Sequence, residues 1–148
     1  MTLFLKKIAS FALILTLSMS FQSFDCDDED FVDECAMQIA GYKFLKANKI
    51  TISGAKKSSA VVEVKQVFSK GNTYVLTACS GSKKNLKVTL YDRSGKKRLI
   101  SNYSKSKKKF YPKVTYKCTA TGVYYLKYEF EDETAYGCGL GIIGFKNG

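Results

Sequence analysis

The chain has 148 residues, enough for one domain, with 24 Lys and Arg against 13 Asp and Glu and a formal net charge of +11. It contains no histidine, which removes Ser-His-Asp and Cys-His nucleophile pairs, His-bearing zinc sites and the commonest neutral general base. Only Arg93 and Arg98 are arginine; bidentate recognition of bases favours Arg, so sequence-specific nucleic-acid binding is not expected.

Lys6 and Lys7 precede an apolar, uncharged run from Ile8 to Met19 that ends among small residues at Ser18 and Ser20. This pattern predicts a secretory signal over residues 1–20, too short and wrongly flanked for a spanning helix. Cleavage after Ser20 leaves 148 − 20 = 128 residues, and a chain of that size buries roughly two-thirds of its unfolded surface. Cys26 has Asp25 before it, where lipoprotein acylation needs a small residue. No later apolar run is long enough to span a membrane, so the expected location is secreted or periplasmic.

Residues 21–52 read as an acidic segment and a short N-terminal helix. Asp25, Asp27, Asp28, Glu29, Asp30, Asp33 and Glu34 crowd ten residues, so residues 36–148 hold 22 basic against 6 acidic side chains, or +16. Phe31, Val32, Cys35, Ile39, Tyr42 and Leu45 recur every three or four residues, which predicts a helix from Asp25 to Lys46. Acids in its first turn and Lys43 and Lys46 in its last suit the helix dipole. The alternation of Asp25, Asp27 and Glu29 resembles hard-cation ligands, but the Gly and distal Glu of an EF-hand loop are missing. No metal or cofactor is expected.

From residue 53 to 148, turn signals arrive at short intervals. Candidate strands are 60–69, 73–80, 86–92, 97–103, 110–120, 123–131 and 136–145, with Pro112 near a strand start. Val114, Tyr116 and Cys118 share one face; Tyr124, Leu126, Tyr128 and Phe130 share another. The stretch 139–145 alternates Gly with Leu, Ile and Phe, as where a large ring or another backbone comes close. About seven short strands at this spacing predict a mainly β chain, an antiparallel β-sandwich of jelly-roll or Ig-like kind behind the short N-terminal helix.

Five cysteines in an oxidising compartment form at most two bridges and leave one thiol. Fifteen arrangements exist. Chain proximity favours Cys26–Cys35, with Cys118–Cys138 as second pair and Cys79 as a buried free thiol.

Phe68-Ser-Lys-Gly71-Asn-Thr-Tyr74, Leu86-Lys-Val88-Thr-Leu90-Tyr-Asp92-Arg-Ser-Gly95 and Gly122-Val-Tyr124-Tyr-Leu126 occur in that order. Across residues 60–131 they resemble the bacterial pre-peptidase C-terminal type of β-sandwich. The ending Cys138-Gly-Leu-Gly-Ile-Ile-Gly-Phe145 is similar to that of small secreted proteins of Bacteroidetes-type bacteria. The resemblance implies a fold and no activity. That family often carries acids just before the strand that begins here at Leu86. Lys83-Lys84-Asn85 stands there instead, so calcium binding is not implied.

Glu129, Glu131, Asp132 and Glu133 read as a solvated strand end, so no catalytic residue is assigned. Tyr91, Tyr103, Tyr111 and Tyr125 fall on the less apolar strand phase and are the exposed aromatic candidates. If consecutive strands run antiparallel, loops 53–59, 81–85, 104–109 and 132–135 share one end of the sandwich. Lys83, Lys84, Lys105, Lys107, Lys108 and Lys109, with Lys56 and Lys57, then gather there and would attract anionic lipid, lipopolysaccharide or acidic polysaccharide. The reading is an exported, non-catalytic binding or envelope-associated module. A stabilising domain without a ligand is the runner-up, and an enzyme the third reading.

Overall fold

The structure, a computed structural model, describes residues 26–53, 60–82, 84–132 and 136–148. The expected signal segment, and Asp25, Lys56, Lys57, Lys83 and Glu133, lie outside the described residues. Among the described residues one helix, α1 (Glu29–Met37), precedes ten strands: β1 (Lys43–Ile52), β2 (Val61–Phe68), β3 (Thr73–Ser80), β4 (Leu86–Tyr91), β5 (Arg98–Ser101), β6 (Tyr103–Ser104), β7 (Lys109–Phe110), β8 (Lys113–Lys117), β9 (Gly122–Phe130) and β10 (Gly137–Lys146). The first sheet has the order β1-β10-β3-β8 and the second β2-β9-β4-β5; β6 and β7 form a separate hairpin. Every pairing is antiparallel. The expected antiparallel sandwich is the observed one.

Its core lies between the two sheets. Ile50, Leu76 and Ile143 from the first meet Phe68, Val88, Leu90, Leu126 and Tyr128 from the second, all at most 1% exposed. Gly141 makes this possible. A Cβ there would lie 2.4 Å from Cε1 and Oη of Tyr128, so the ring occupies the space of the missing side chain.

The first sheet is covered on both faces, which is why the run from Cys138 to Gly144 is buried without interruption. Its outer face carries Val75, Leu140 and Ile142, and α1, through Cys35, and the turn after it, through Ile39, close over them. Asp28 caps the helix by accepting from the Asp30 amide at 3.0 Å.

The helix ends at Met37 and has no basic residue in its last turn, so the expected helix to Lys46 is corrected. The chain turns at Gly41, φ +84°, and residues 43–52 pair with β10 as an edge strand. Only Asn48, Ile50 and Ile52 of β1 are buried; its exposed first half showed no inward alternation. The sandwich therefore begins at Lys43.

The disulfides are Cys26–Cys138 and Cys35–Cys79, with Cys118 free and buried. The expected pairs Cys26–Cys35 and Cys118–Cys138, and a free Cys79, are corrected. Strand parity gives the reason. Cys79 shares the outer face of the first sheet with Val75, and Cys138 shares it with Leu140 and Ile142. Both therefore face the helical segment that carries Cys26 and Cys35. Cys118 points into the inter-sheet core, on the wrong side of the sheet for Cys138.

Candidate binding surface

The lysine-rich stretch is a hairpin mounted on the sandwich edge. Asn102, 2% exposed, anchors it. Its Oδ1 accepts from the Val88 amide at 2.9 Å, and its Nδ2 donates to the Leu86 carbonyl at 3.1 Å. These bonds satisfy β4 where β5 has ended, and the Tyr111 amide donates back to the Asn102 carbonyl at 2.8 Å. The hairpin thus leaves the β5–β8 edge near the start of β4.

Tyr103 and Phe110 pair across the hairpin with ring centroids 4.7 Å apart, and the Arg98 guanidinium donates to the Tyr103 carbonyl at 3.2 Å. The Ser104 hydroxyl lies 3.2 Å from that of Ser106. Lys108 holds φ +48°, the one positive φ outside glycine among the described residues. A left-handed lysine is disfavoured relative to glycine and is kept by the closed loop around it.

Lys105, Lys107, Lys108 and Lys109 are all exposed. Among the described residues, the ion pairs use Lys49, Lys84, Lys87 and Lys127 and none of these four. Among the described residues, the hairpin therefore presents concentrated positive charge with no carboxylate paired to it. Lys84 belongs to a different connection, between β3 and β4, and lies 3.9 Å from the Asp132 carboxylate. It adds less charge than the sequence suggested.

Of the four tyrosine candidates, Tyr103 and Tyr111 flank the hairpin, with Lys109 Nζ 5.6 Å from the Tyr111 ring centre. Tyr91 and Tyr125 are register partners on the outer face of the second sheet. Burial pushes the hydroxyls of Tyr124 and Tyr128 well above the ordinary tyrosine range, so both stay protonated at neutral pH. Asn102 escaped the sequence reading; the polar residue closing Leu-Ile-Ser was its one signal.

Beside α1 a cleft of about 230 Å³ is lined by Phe31, Glu34, Gln38, Ser80 and the Cys35–Cys79 bridge. Among the described residues there is no His, Cys, Asp and Glu group able to hold a metal ion, and no helix long and apolar enough to cross a membrane.

No protein-family model matches the chain, and no curated protein matches it. Among solved structures, it is similar to the crystal structure of Aeromonas hydrophila PliG, a periplasmic lysozyme inhibitor of g-type lysozyme. The TM-score is 0.51 over 72% of this chain and 89% of that one, at 11% identity. Identity this low shows a shared fold and nothing finer.

Proposed function

We propose that this protein is an exported, non-catalytic binding module whose lysine hairpin holds it to an anionic envelope surface. Lipid headgroups, lipopolysaccharide and acidic polysaccharide share the chemistry required. The observation that carries the reading is the anchored Tyr103–Phe110 hairpin with four exposed lysines and no carboxylate partner among the described residues. Two disulfides support the exported location, since such bonds persist in oxidising compartments.

Each lysine near an anionic surface contributes about 1 kcal/mol, fading beyond roughly 8 Å at physiological salt. Four together hold the protein; one alone does not. Wild type should bind phosphatidylglycerol vesicles, lipopolysaccharide or heparin with steep salt dependence. Changing Lys105, Lys107, Lys108 and Lys109 to Glu should weaken binding at least a hundredfold, by the ~1 kcal/mol per lysine above, at an unchanged melting temperature. Wild type that stays unbound at low salt overturns the reading.

The fold supports a second reading, because the similar protein is an inhibitor of g-type lysozyme. Glycosidase clefts carry paired carboxylates, and a rigid basic hairpin suits an acidic cleft. Inhibition of a g-type lysozyme by wild type, relieved by the same four substitutions, would establish it. Full lysozyme activity in excess wild-type protein rejects it.

A further inference from the structure

We infer that the outer face of the second sheet is a separate binding surface for acidic polysaccharide, with Tyr91 and Tyr125 as its floor. No residue of the hairpin takes part, so the two surfaces stand or fall independently.

The register assembles the floor. Tyr91 of β4 pairs with Tyr125 of β9, and Tyr125 pairs with Lys65 of β2. Neighbouring strands lie about 4.8 Å apart, so the three side chains form one row across the sheet. Their partners in sequence point the other way: Leu90, Tyr124 and Leu126 are in the core, whereas Tyr91 and Tyr125 are not among its residues. Both rings are half-buried, although no helix covers this sheet among the described residues.

Cations stand over the rings. Lys127 Nζ is 4.7 Å from the Tyr91 ring centre and Lys65 Nζ is 5.5 Å from that of Tyr125. Lys127 also meets the Glu63 carboxylate at 3.6 Å, and Lys87 meets Glu129 at 2.6 Å. Lys65 has no carboxylate partner among the described residues. Val61, Val67 and Val123 are 40%, 56% and 40% exposed on the same face, so it is apolar as well as charged.

The β4–β5 turn forms a wall. Gly95, φ +70°, lies against Tyr125, a Cβ there falling at van der Waals contact, 3.4 Å from the ring. Asp92 holds the turn closed: its Oδ1 accepts from the Ser94 hydroxyl at 2.6 Å and from the Ser94 and Lys97 amides at 3.1 and 3.2 Å. The turn's one acid is spent on its own loop, and Lys96 and Lys97 are left exposed, while the Arg93 side chain lies across Gly122.

A sugar ring offers an apolar C–H face to a tyrosine and a rim of hydroxyls to water. A carboxylate or sulfate on that rim would draw the Lys65 and Lys127 ammonium groups aside from the aromatic rings they now stand over, opening the ring faces to the sugar. A neutral glycan would use the floor and ignore the cations, and a lipid headgroup would use the cations and ignore the floor. Charge and aromatic surface together select the acidic polysaccharide.

The test is titration of the full chain with an oligogalacturonate, against a neutral dextran fragment of equal length. The expected result is preferential binding of the acidic oligosaccharide, with Tyr91 and Tyr125 ring protons shifting in NMR spectra. Tyr91→Ala and Tyr125→Ala should each weaken it about tenfold, as loss of an aromatic anchor does, whereas Tyr91→Phe keeps the affinity. The Lys105, Lys107, Lys108 and Lys109 to Glu variant should retain a tyrosine-dependent component that survives high salt. Unshifted ring protons, equal binding of both glycans, or binding that only the hairpin variant loses would overturn the proposal; the last would leave the hairpin reading standing.

Discussion

At Gly141 the absence of a side chain sets the thickness of the core. The ring of Tyr128 lies where a Cβ would be, with Cε1, Oη and Cζ all within 2.5 Å of that position. Tyr128 is fully buried and sits on β9, one of the two inner strands of the opposite sheet, so it has no free direction in which to retreat. Gly141→Ala therefore forces the ring off its place, and overpacking of this kind costs about 1–3 kcal/mol. A thermal melt should show a fall of roughly 5–10 °C, with Tyr128→Leu restoring part of it in the double variant. A wild-type melting temperature for Gly141→Ala would show that the two sheets separate more easily than this packing implies. The Gly-Leu-Gly-Ile-Ile-Gly alternation announced a close ring; which ring required the opposing sheet.

Helix α1 is marginal by itself and belongs to the fold because of the face it covers. Cys35–Cys79 closes a span of 44 residues and Cys26–Cys138 one of 112. In the chain-entropy model such loops contribute roughly 4–5 kcal/mol each when alone, less when nested. Replacing Cys35 and Cys79 together by Ala should cost about 2–4 kcal/mol in denaturant melts. Amide exchange in α1 should accelerate while β4 and β9 stay protected. Equal acceleration throughout would show that helix and sandwich unfold as one unit. These elements also mark the limit of legibility. Strands such as β2, β4 and β9 were readable because each has one inward face. β1 was not, since its first five residues are exposed and helical spacing fitted them as well. Cys79 stands two and four residues from Thr77 and Val75, so the sequence alone places the three on one strand phase. What that phase faces is a tertiary fact, and it reversed the pairing. The lysine loop was visible as a loop, whereas Asn102, which fixes where it stands, carries no periodic signal.

Across the whole molecule the charge is divided by position as well as by amount. Glu29, Asp30, Asp33 and Glu34 are exposed on α1, over the outer face of the first sheet, while the lysine hairpin leaves the β5–β8 edge. Helix α1 rests on β10 and β3, to which Cys35–Cys79 ties it, and β8 lies between it and the hairpin edge. The acids therefore act on a ligand at the hairpin only through the long-range field. That field reaches about 30 Å at 0.01 M salt and about 8 Å at 0.15 M. Changing Glu29, Asp30 and Asp33 to Gln, Asn and Asn removes three negative charges and keeps Asp28, which accepts the capping bond. Binding to anionic vesicles should then strengthen several-fold at low salt and match wild type at physiological salt. The salt series distinguishes a field effect from a contact. A gain that persists at 0.15 M would place α1 inside the footprint of the ligand, and the hairpin would no longer be the sole point of attachment to the surface.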